Sequence, residues 1–307
     1  MSRMAVTGAF GYSGKRITRE LLARGDRVLA LTNSLGRPHP FGQAIEVAPL
    51  AFADPTSLSQ SLSGCDVLVN TYWVRFNHRT FSHAQAVADT KVLFSAARAA
   101  GVGRIVHVSI TNPARDSSLE YFRGKAELEE ALMGLGIPYA IARPAVLFGD
   151  EDILINNMAY LLRRLPVFGM FGDGQYRLRP IHVDDFAKCI VVLCDGSTNT
   201  VVEAVGPESF TYLELLKVLA SALGVRRRFL RLPPWFGYVV GTVAGWLLRD
   251  RLITWEEIKG LMQDRLWVDA PAAGTTRLSD WAKAHADTLG RHYASELRRR
   301  RDRDVRY

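Results

Sequence analysis

The chain has 307 residues, 48% of them hydrophobic and 23% charged, which excludes disorder, collagen and coiled coil and suits a globular core needing neither disulfides nor metals. Its net charge is +8, and residues 298–306, with six Arg and two Asp, supply half of that excess. This run reads as the solvated end of a C-terminal helix ahead of an arm for nucleic acid or an anionic membrane, and no stretch interleaves basic and aromatic residues as a nucleic-acid enzyme requires.

In chain order, Arg3–Thr7 is a strand with no signal peptide before it, and Ile17–Arg24 a helix stopped by Gly25-Asp26. Strands follow at Arg27–Thr32 and Ala44–Leu50. A helix starts at Asp54 with Leu58 and Leu62 on one face, and Asp66–Asn70 is the fourth strand. Helix Ala84–Ala100, strand Arg104–Ser109, helix Tyr121–Leu135 and strand Tyr139–Arg143 complete the series. Short buried strands alternating with helices imply an α/β doubly wound parallel sheet, a Rossmann arrangement.

After Gly149 the alternation breaks down, leaving helices at Asn156–Leu165, Asp184–Cys194 and Leu213–Leu223 and a strand at Thr200–Val205 that returns to the sheet. The expected division is a nucleotide domain over 1–150, rejoined by 175–205, and a smaller, mostly helical lobe from 151–174 and 206–307. The longest apolar stretch, Trp235–Leu248, has 14 residues, short of the ~20 that span a bilayer. Arg226–Arg228, Arg231, Arg249 and Arg251 flank it, and it reads as a buried helix ahead of an interfacial membrane helix. Cys65, Cys189 and Cys194 form no C-x-x-C pair and gather no His, so no metal site is expected and the thiols suit the reducing cytoplasm.

Chemistry concentrates at the strand ends. Gly8, Gly11 and Gly14 punctuate Thr7-Gly-Ala-Phe10-Gly-Tyr12-Ser13-Gly between the first strand and first helix, where a tight turn and a helix N-terminus bind a pyrophosphate. No acid follows the second strand to hold a ribose 2′-hydroxyl; Asn33, Ser34 and Arg37 stand there, with Lys15 and Arg16 as further 2′-phosphate candidates or plain solvated residues. NADP is therefore favoured over NAD. Asp54 suits either the adenine edge or a helix N-cap. Tyr121 and Lys125, at i and i+4, share a helix face on which an ammonium lowers a phenol pKa for general acid–base work. Ser109 and Thr111 supply hydroxyls that polarise a carbonyl or merely cap a turn. His182 reads as a structural histidine beside Asp184, and His107 as core.

These residues together resemble the extended and atypical short-chain dehydrogenase/reductases, over about residues 3–215. Glu129 after the Tyr/Lys pair, Arg143-Pro144-Ala-Val-Leu-Phe148-Gly149, Pro180-Ile-His182-Val-Asp184-Asp185 and Gly206-Pro207-Glu208 with Thr211 carry the likeness. The resemblance implies a catalytic set of Thr111 or Ser109 with Tyr121 and Lys125, Lys125 also on the nicotinamide ribose, Pro144 lining the nicotinamide, and Asn70 among the cofactor-binding residues. It further implies a homodimer through helices Ala84–Ala100 and Tyr121–Leu135. The chain departs from the family at Asn70-Thr71-Tyr72-Trp73, where two aromatics replace small residues near the cofactor, in Thr111 preceding Tyr121 by only ten residues, which implies a different substrate pocket, and after residue 215, where no sugar-nucleotide signature names a sugar. The reading is an NAD(P)-dependent oxidoreductase, epimerase or dehydratase acting on an unidentified small molecule. Its rival is a non-catalytic relative of NmrA-like redox sensors or of the nucleotide-carrying accessory subunit of respiratory complex I, docked on a partner or a membrane.

Overall fold

A computed structural model describes residues 1–78, 80–247, 250 and 253–295, and the arginine-rich run at 298–306 lies outside them, as do Leu248, Arg249 and Arg251. The chain divides into two units, Met1–Pro144 with Val183–Ala204, and Ala145–His182 with Val205–Tyr307.

The first unit begins β1 (Arg3–Thr7), α1 (Tyr12–Ala23), β2 (Arg27–Thr32), β3 (Ile45–Pro49), α2 (Pro55–Leu62) and β4 (Val67–Asn70). It continues α3 (His83–Ala99), β5 (Arg104–Val108), α4 (Glu120–Met133) and β6 (Tyr139–Pro144). The chain then passes through the second unit as β7 (Val146–Phe148), α5 (Leu154–Arg164), β8 (Val167–Phe171), β9 (Arg177–Leu178) and β10 (Pro180–His182). It returns as α6 (Val183–Cys194) and β11 (Thr200–Ala204) before leaving for good as β12 (Phe210–Thr211), α7 (Tyr212–Ala222), β13 (Arg228–Leu232), α8 (Pro234–Leu247), α9 (Trp255–Met262) and α10 (Leu278–Ala284).

Seven parallel strands form the sheet of the first unit, in the order β11-β6-β5-β4-β1-β2-β3. Central strands such as β4, buried at every residue, read as unbroken apolar runs because helices cover both faces. On one face α1 buries Gly14, Ile17, Thr18 and Leu21 against α6. On the other, Leu58, Leu62, Leu93, Phe94, Leu128 and Leu132 from α2, α3 and α4 pack on Leu29, Leu68, Ile105 and Ile141. The strand order reverses between β1 and β4, and ligands of such sheets bind in the crevice at the carboxyl ends beside that reversal.

Polar groups inside this core are joined into a chain across three strands. The Thr7 hydroxyl donates to Asn70 Oδ1 (2.8 Å) and accepts from the N–H groups of Thr71 (2.9 Å) and Tyr72 (3.1 Å). With Oδ1 also accepting from the Tyr72 amide, the Asn70 amide nitrogen must donate to His107 Nδ1 (3.0 Å), which places the imidazole proton on Nε2. Burial and the neighbouring Lys125 hold the His107 pKa well below its ordinary value, so the ring stays neutral. His107 is a core residue, as its strand position implies.

A second polar group ties the sheet edge to α4. Arg143 on β6 bonds both carboxylate oxygens of Glu129 on α4 and reaches Glu203 on β11 (3.1 Å). The other Glu203 oxygen accepts from the Thr111 hydroxyl (2.6 Å). β11 is the returning strand expected at Thr200–Val205.

The second unit packs α5, α7 and α10 around Phe148, Met158, Leu162, Leu215, Leu219 and Trp281. It also holds three two-stranded sheets, β10-β7, β12-β9 and β13-β8, which the sequence did not announce. His182 rests edge-on to Phe148 (5.2 Å) and tilted on Trp281 (6.1 Å), a structural histidine, while Asp184 meets Arg16 of α1 at 3.4 Å. The expectation of a buried helix at Trp235–Leu248 is overturned. α8 turns glycines inward, where a Cβ at Gly237 would lie 2.5 Å from the Phe171 ring, and its bulky side chains Trp235, Phe236, Tyr238, Val239 and Trp246 outward into solvent.

Removing the charge at Arg143 leaves Glu129 buried without its guanidinium. Arg143→Met is expected to destabilise by about 2–4 kcal/mol, read as a lowered urea midpoint at unchanged m value.

Candidate active site

The glycine turn is built by contact rather than by flexibility alone. Gly8 adopts φ +65°, and its carbonyl accepts the Gly11 N–H at 2.8 Å. A Cβ at Gly14 would stand 2.1 Å from the Gly8 oxygen, so only glycine lets α1 start this close to β1. α1 begins at Tyr12, directly after the turn and five residues earlier than its apolar spacing suggests. Its N-cap Gly11 offers no side-chain cap and its first turn no acid, whereas Asp54 caps α2 and Ser82 caps α3. The first-turn N–H groups, at Tyr12 and Ser13, thus start α1 with no acid in that turn and no side-chain cap at Gly11. Cradle and donors fit a pyrophosphate.

Beyond β2, Asn33 is exposed and Arg37 closes a turn by donating its N–H to the Ser34 carbonyl (3.2 Å). Two of the acids and bases considered from sequence are committed elsewhere. Arg16 pairs with Asp184, and Asp54 accepts from the Ser57 amide (3.1 Å) as the N-cap of α2. Glu46, the first acid past β2, is bonded to Arg3 (2.7 Å) and Arg27 (2.8 Å). Sequence reasoning missed His39, which stacks flat on Phe10 at 4.5 Å with a buried Nδ1 that has no hydrogen-bond partner among the described residues. Its only signal was an aromatic residue inside the glycine turn.

At the end of β5 the structure separates the two candidate hydroxyls. Thr111 is spent on Glu203, a residue in β11 that sequence spacing could not connect to it. Ser109 Oγ is buried and has no hydrogen-bond partner among the described residues. Pro144, buried at the end of β6, accepts the Thr111 N–H at 3.0 Å.

Lys125 is 2% exposed. Its ammonium donates to the Val108 carbonyl (2.8 Å) and stands 4.2 Å over the Trp73 ring. Burial pushes its pKa down to about 7, against the pull of Glu129. The same indole meets Tyr121 edge-on at 5.5 Å and stacks on His83 at 5.6 Å. Gly124 admits it, since a Cβ there would lie 3.0 Å from the indole edge. Trp73 is therefore the shared wall of the Tyr/Lys pair. Tyr72 turns away, its hydroxyl on Asp89 (2.9 Å), which raises its pKa through burial first and that carboxylate second. Among the described residues no group of His, Cys, Asp and Glu could hold a metal ion.

The family model described as NAD(P)H-binding matches residues 8–159, from the glycine turn into α5. Over those residues the chain is similar to NAD(P)H-binding proteins, and solved NAD(P)-dependent reductases and epimerases share its fold. Among curated relatives, the mitochondrial NADH dehydrogenase (ubiquinone) 1 alpha subcomplex subunit 9 of Arabidopsis thaliana is 28% identical over 240 residues, 74% of this chain and 60% of the relative. The ceramide reductase of Caulobacter vibrioides is 29% identical over 244 residues, 75% of this chain and 73% of that protein. The chain spans about three fifths of the mitochondrial subunits it matches, 60% in Arabidopsis and 62% in Dictyostelium discoideum. Of solved structures, Citrobacter sp. triphenylmethane reductase with NADP(H) shares the fold at TM-score 0.76 and 17% identity, covering 92% of this chain and 99% of that one. The Escherichia coli NADPH-dependent quinone oxidoreductase with NADPH does so at TM-score 0.73 and 21% identity, with the same coverage.

Two outcomes follow from this geometry. Gly14→Ala forces backbone apart at the cradle, at about 1–3 kcal/mol for overpacking, so dinucleotide affinity is expected to fall about tenfold or more in a fluorescence titration. Lys125→Met tests the buried charge. Unfolded, the lysine keeps its proton up to its ordinary pKa of 10.5; folded, it keeps it only to about 7. Between those values the folded state holds fewer protons, so stability rises with pH, and below 7 the penalty is at its full size. The variant is expected to melt higher than the wild type at pH 6.5, with the gap closing toward pH 10, in paired thermal scans.

Proposed function

We propose that the chain is an NADP(H)-dependent oxidoreductase that exchanges a hydride and a proton at a carbonyl or hydroxyl carbon of a small molecule. The observation that carries this reading is Lys125, an amine kept out of water one helical turn from Tyr121 at the carboxyl end of β5. Desolvating a lysine costs stability, and such groups concentrate where chemistry uses them. In this reading Tyr121 gives or takes the proton, and the Lys125 ammonium favours the phenolate and binds the nicotinamide ribose. Ser109 Oγ, rather than Thr111, holds the substrate oxygen. When bound, the nicotinamide supplies or accepts the hydride.

Preference for NADP is supported by the acid-free stretch from Thr32 to Phe41 and by Glu46 being held by Arg3 and Arg27; in this reading Arg37 or Lys15 meets the 2′-phosphate. Reductases recur among the relatives, and two of the similar solved structures hold NADP(H) or NADPH. Free Cys65, Cys189 and Cys194 accord with a reducing, cytoplasmic setting. A second reading, a nucleotide-carrying subunit without turnover, is favoured by the 28% identity to the NADH dehydrogenase subunit of Arabidopsis.

Titration with NADPH and NADH, followed by a carbonyl-substrate screen, separates the two. The enzyme reading expects tighter NADPH binding and, in Tyr121→Phe, unchanged NADPH affinity with turnover reduced about 10²–10⁴-fold. Tight binding with no turnover across the screen would favour the second reading, whereas turnover indifferent to Tyr121→Phe would overturn the role given to Tyr121.

A further inference from the structure

α8 is built the wrong way round for a helix of a water-bathed surface. Its 14 residues, Pro234–Leu247, contain no charged side chain. Gly237 and Gly241, four apart, bring its backbone against Phe171 and Ile253. The large side chains are left outside, with Trp235 63% and Trp246 79% exposed and Phe236, Tyr238 and Val239 also open. Positions 235, 239, 242 and 246 fall on one line of a 3.6-residue helix, so Trp235, Val239 and Trp246 form a continuous outward stripe about 16 Å long. Surface helices ordinarily place charge on that side.

The approach to α8 is charged with one sign. Residues 226–247 include four arginines and no acid. Arg227 is tied to the Leu162 and Arg163 carbonyls, but Arg226, Arg228 and Arg231 are exposed and make no ion pair among the described residues. Leu230, on β13 between them, is 51% exposed. Tryptophan and tyrosine with an apolar body and polar edge, aliphatic side chains beside them and unpaired guanidinium groups at the margin are the composition of a segment that sits at a lipid–water boundary. At 1.5 Å per residue the helix is about 21 Å long, short of the ~30 Å hydrocarbon core, and no described helix is long and apolar enough to cross a membrane.

We propose that the outward side of α8, with Arg226, Arg228 and Arg231 beside it, rests on the surface of a lipid bilayer carrying anionic headgroups. The helix lies in the interface with its aromatic stripe among the upper acyl chains, and the arginines meet the headgroup phosphates. A protein partner of matched shape would also cover the stripe, but it gives no account of three unpaired cations with no acid among them.

The test uses the full chain and vesicles of phosphatidylcholine, alone or with roughly one third phosphatidylglycerol, in a flotation assay. The protein is expected to float with the anionic vesicles at low ionic strength, to be released by high salt, and to show a blue-shifted tryptophan emission when bound. The double variant Trp235→Ser/Trp246→Ser should lose flotation at least about tenfold, and Arg226→Gln/Arg228→Gln/Arg231→Gln about fivefold per arginine on the anionic vesicles. Circular dichroism and NADPH titration serve as fold controls, because none of the five side chains packs inside. Wild-type protein that stays with neither vesicle at low salt overturns the proposal, as does flotation untouched by the double variant. A dimer in sedimentation that the double variant abolishes, without vesicle binding, overturns it in favour of a second copy of this chain.

Discussion

No atom larger than hydrogen fits between the Gly8 carbonyl and the Cα of Gly14, and this contact sets where everything else at the crevice lies. It fixes how closely α1 approaches β1, which fixes where the first-turn N–H groups point. It also leaves room at Gly8 for Thr71 alone, whose hydroxyl donates to the Thr7 carbonyl at 2.6 Å. The end of β4 is thereby pinned to the glycine turn, and the aromatic pair that follows is launched from a fixed point. A steric constraint of this kind asks for no binding energy from the ligand to organise the site.

From that anchor, polar groups carry order inward. Thr7, the Asn70 amide and His107 Nδ1 are paired across β1, β4 and β5 in a core where an unpaired amide would cost about 1–3 kcal/mol. Lys125 on α4 reaches the end of β5, near enough to His107 that its charge disfavours a second one on the imidazole. The Glu129 carboxylate, which would otherwise neutralise Lys125, is occupied by Arg143. A lysine with a pKa of about 7 is the product of burial, with Trp73 over the ammonium, which the pull of Glu129 offsets only in part.

Most of the parallel sheet was legible because its strands are short, largely apolar runs and every crossover but the one to β11 is local. Gly8, Gly11, Gly14, Tyr121 and Lys125 were legible because their spacing reports a turn or one helix face. Choosing between Ser109 and Thr111 was beyond sequence, since Glu203 decides it from 92 residues away. Sequence separation also hides the pairing of β8 with β13, two five-residue strands whose partners no local pattern names. Trp73 looked like an aromatic beside the cofactor; only the notch at Gly124 shows that it walls the Tyr/Lys pair. At α8 the apolar content was plain, but which side faces inward depended on Gly237 and Gly241, whose spacing reads equally as weakness in a helix.

The position of β11 has a consequence for how the protein comes into being. Chains emerge from the ribosome N-terminus first, and domains fold as units in that order. A nascent chain released as far as Pro144 holds six of the seven strands and the whole glycine turn, yet neither α6 nor Glu203. Until the polypeptide has made its excursion and come back, Arg16 lacks Asp184, Arg143 has one carboxylate instead of two, and the Thr111 hydroxyl has no acceptor on the missing strand. Translation past residue 204 therefore acts as the last assembly step of a site whose named residues were all synthesised long before.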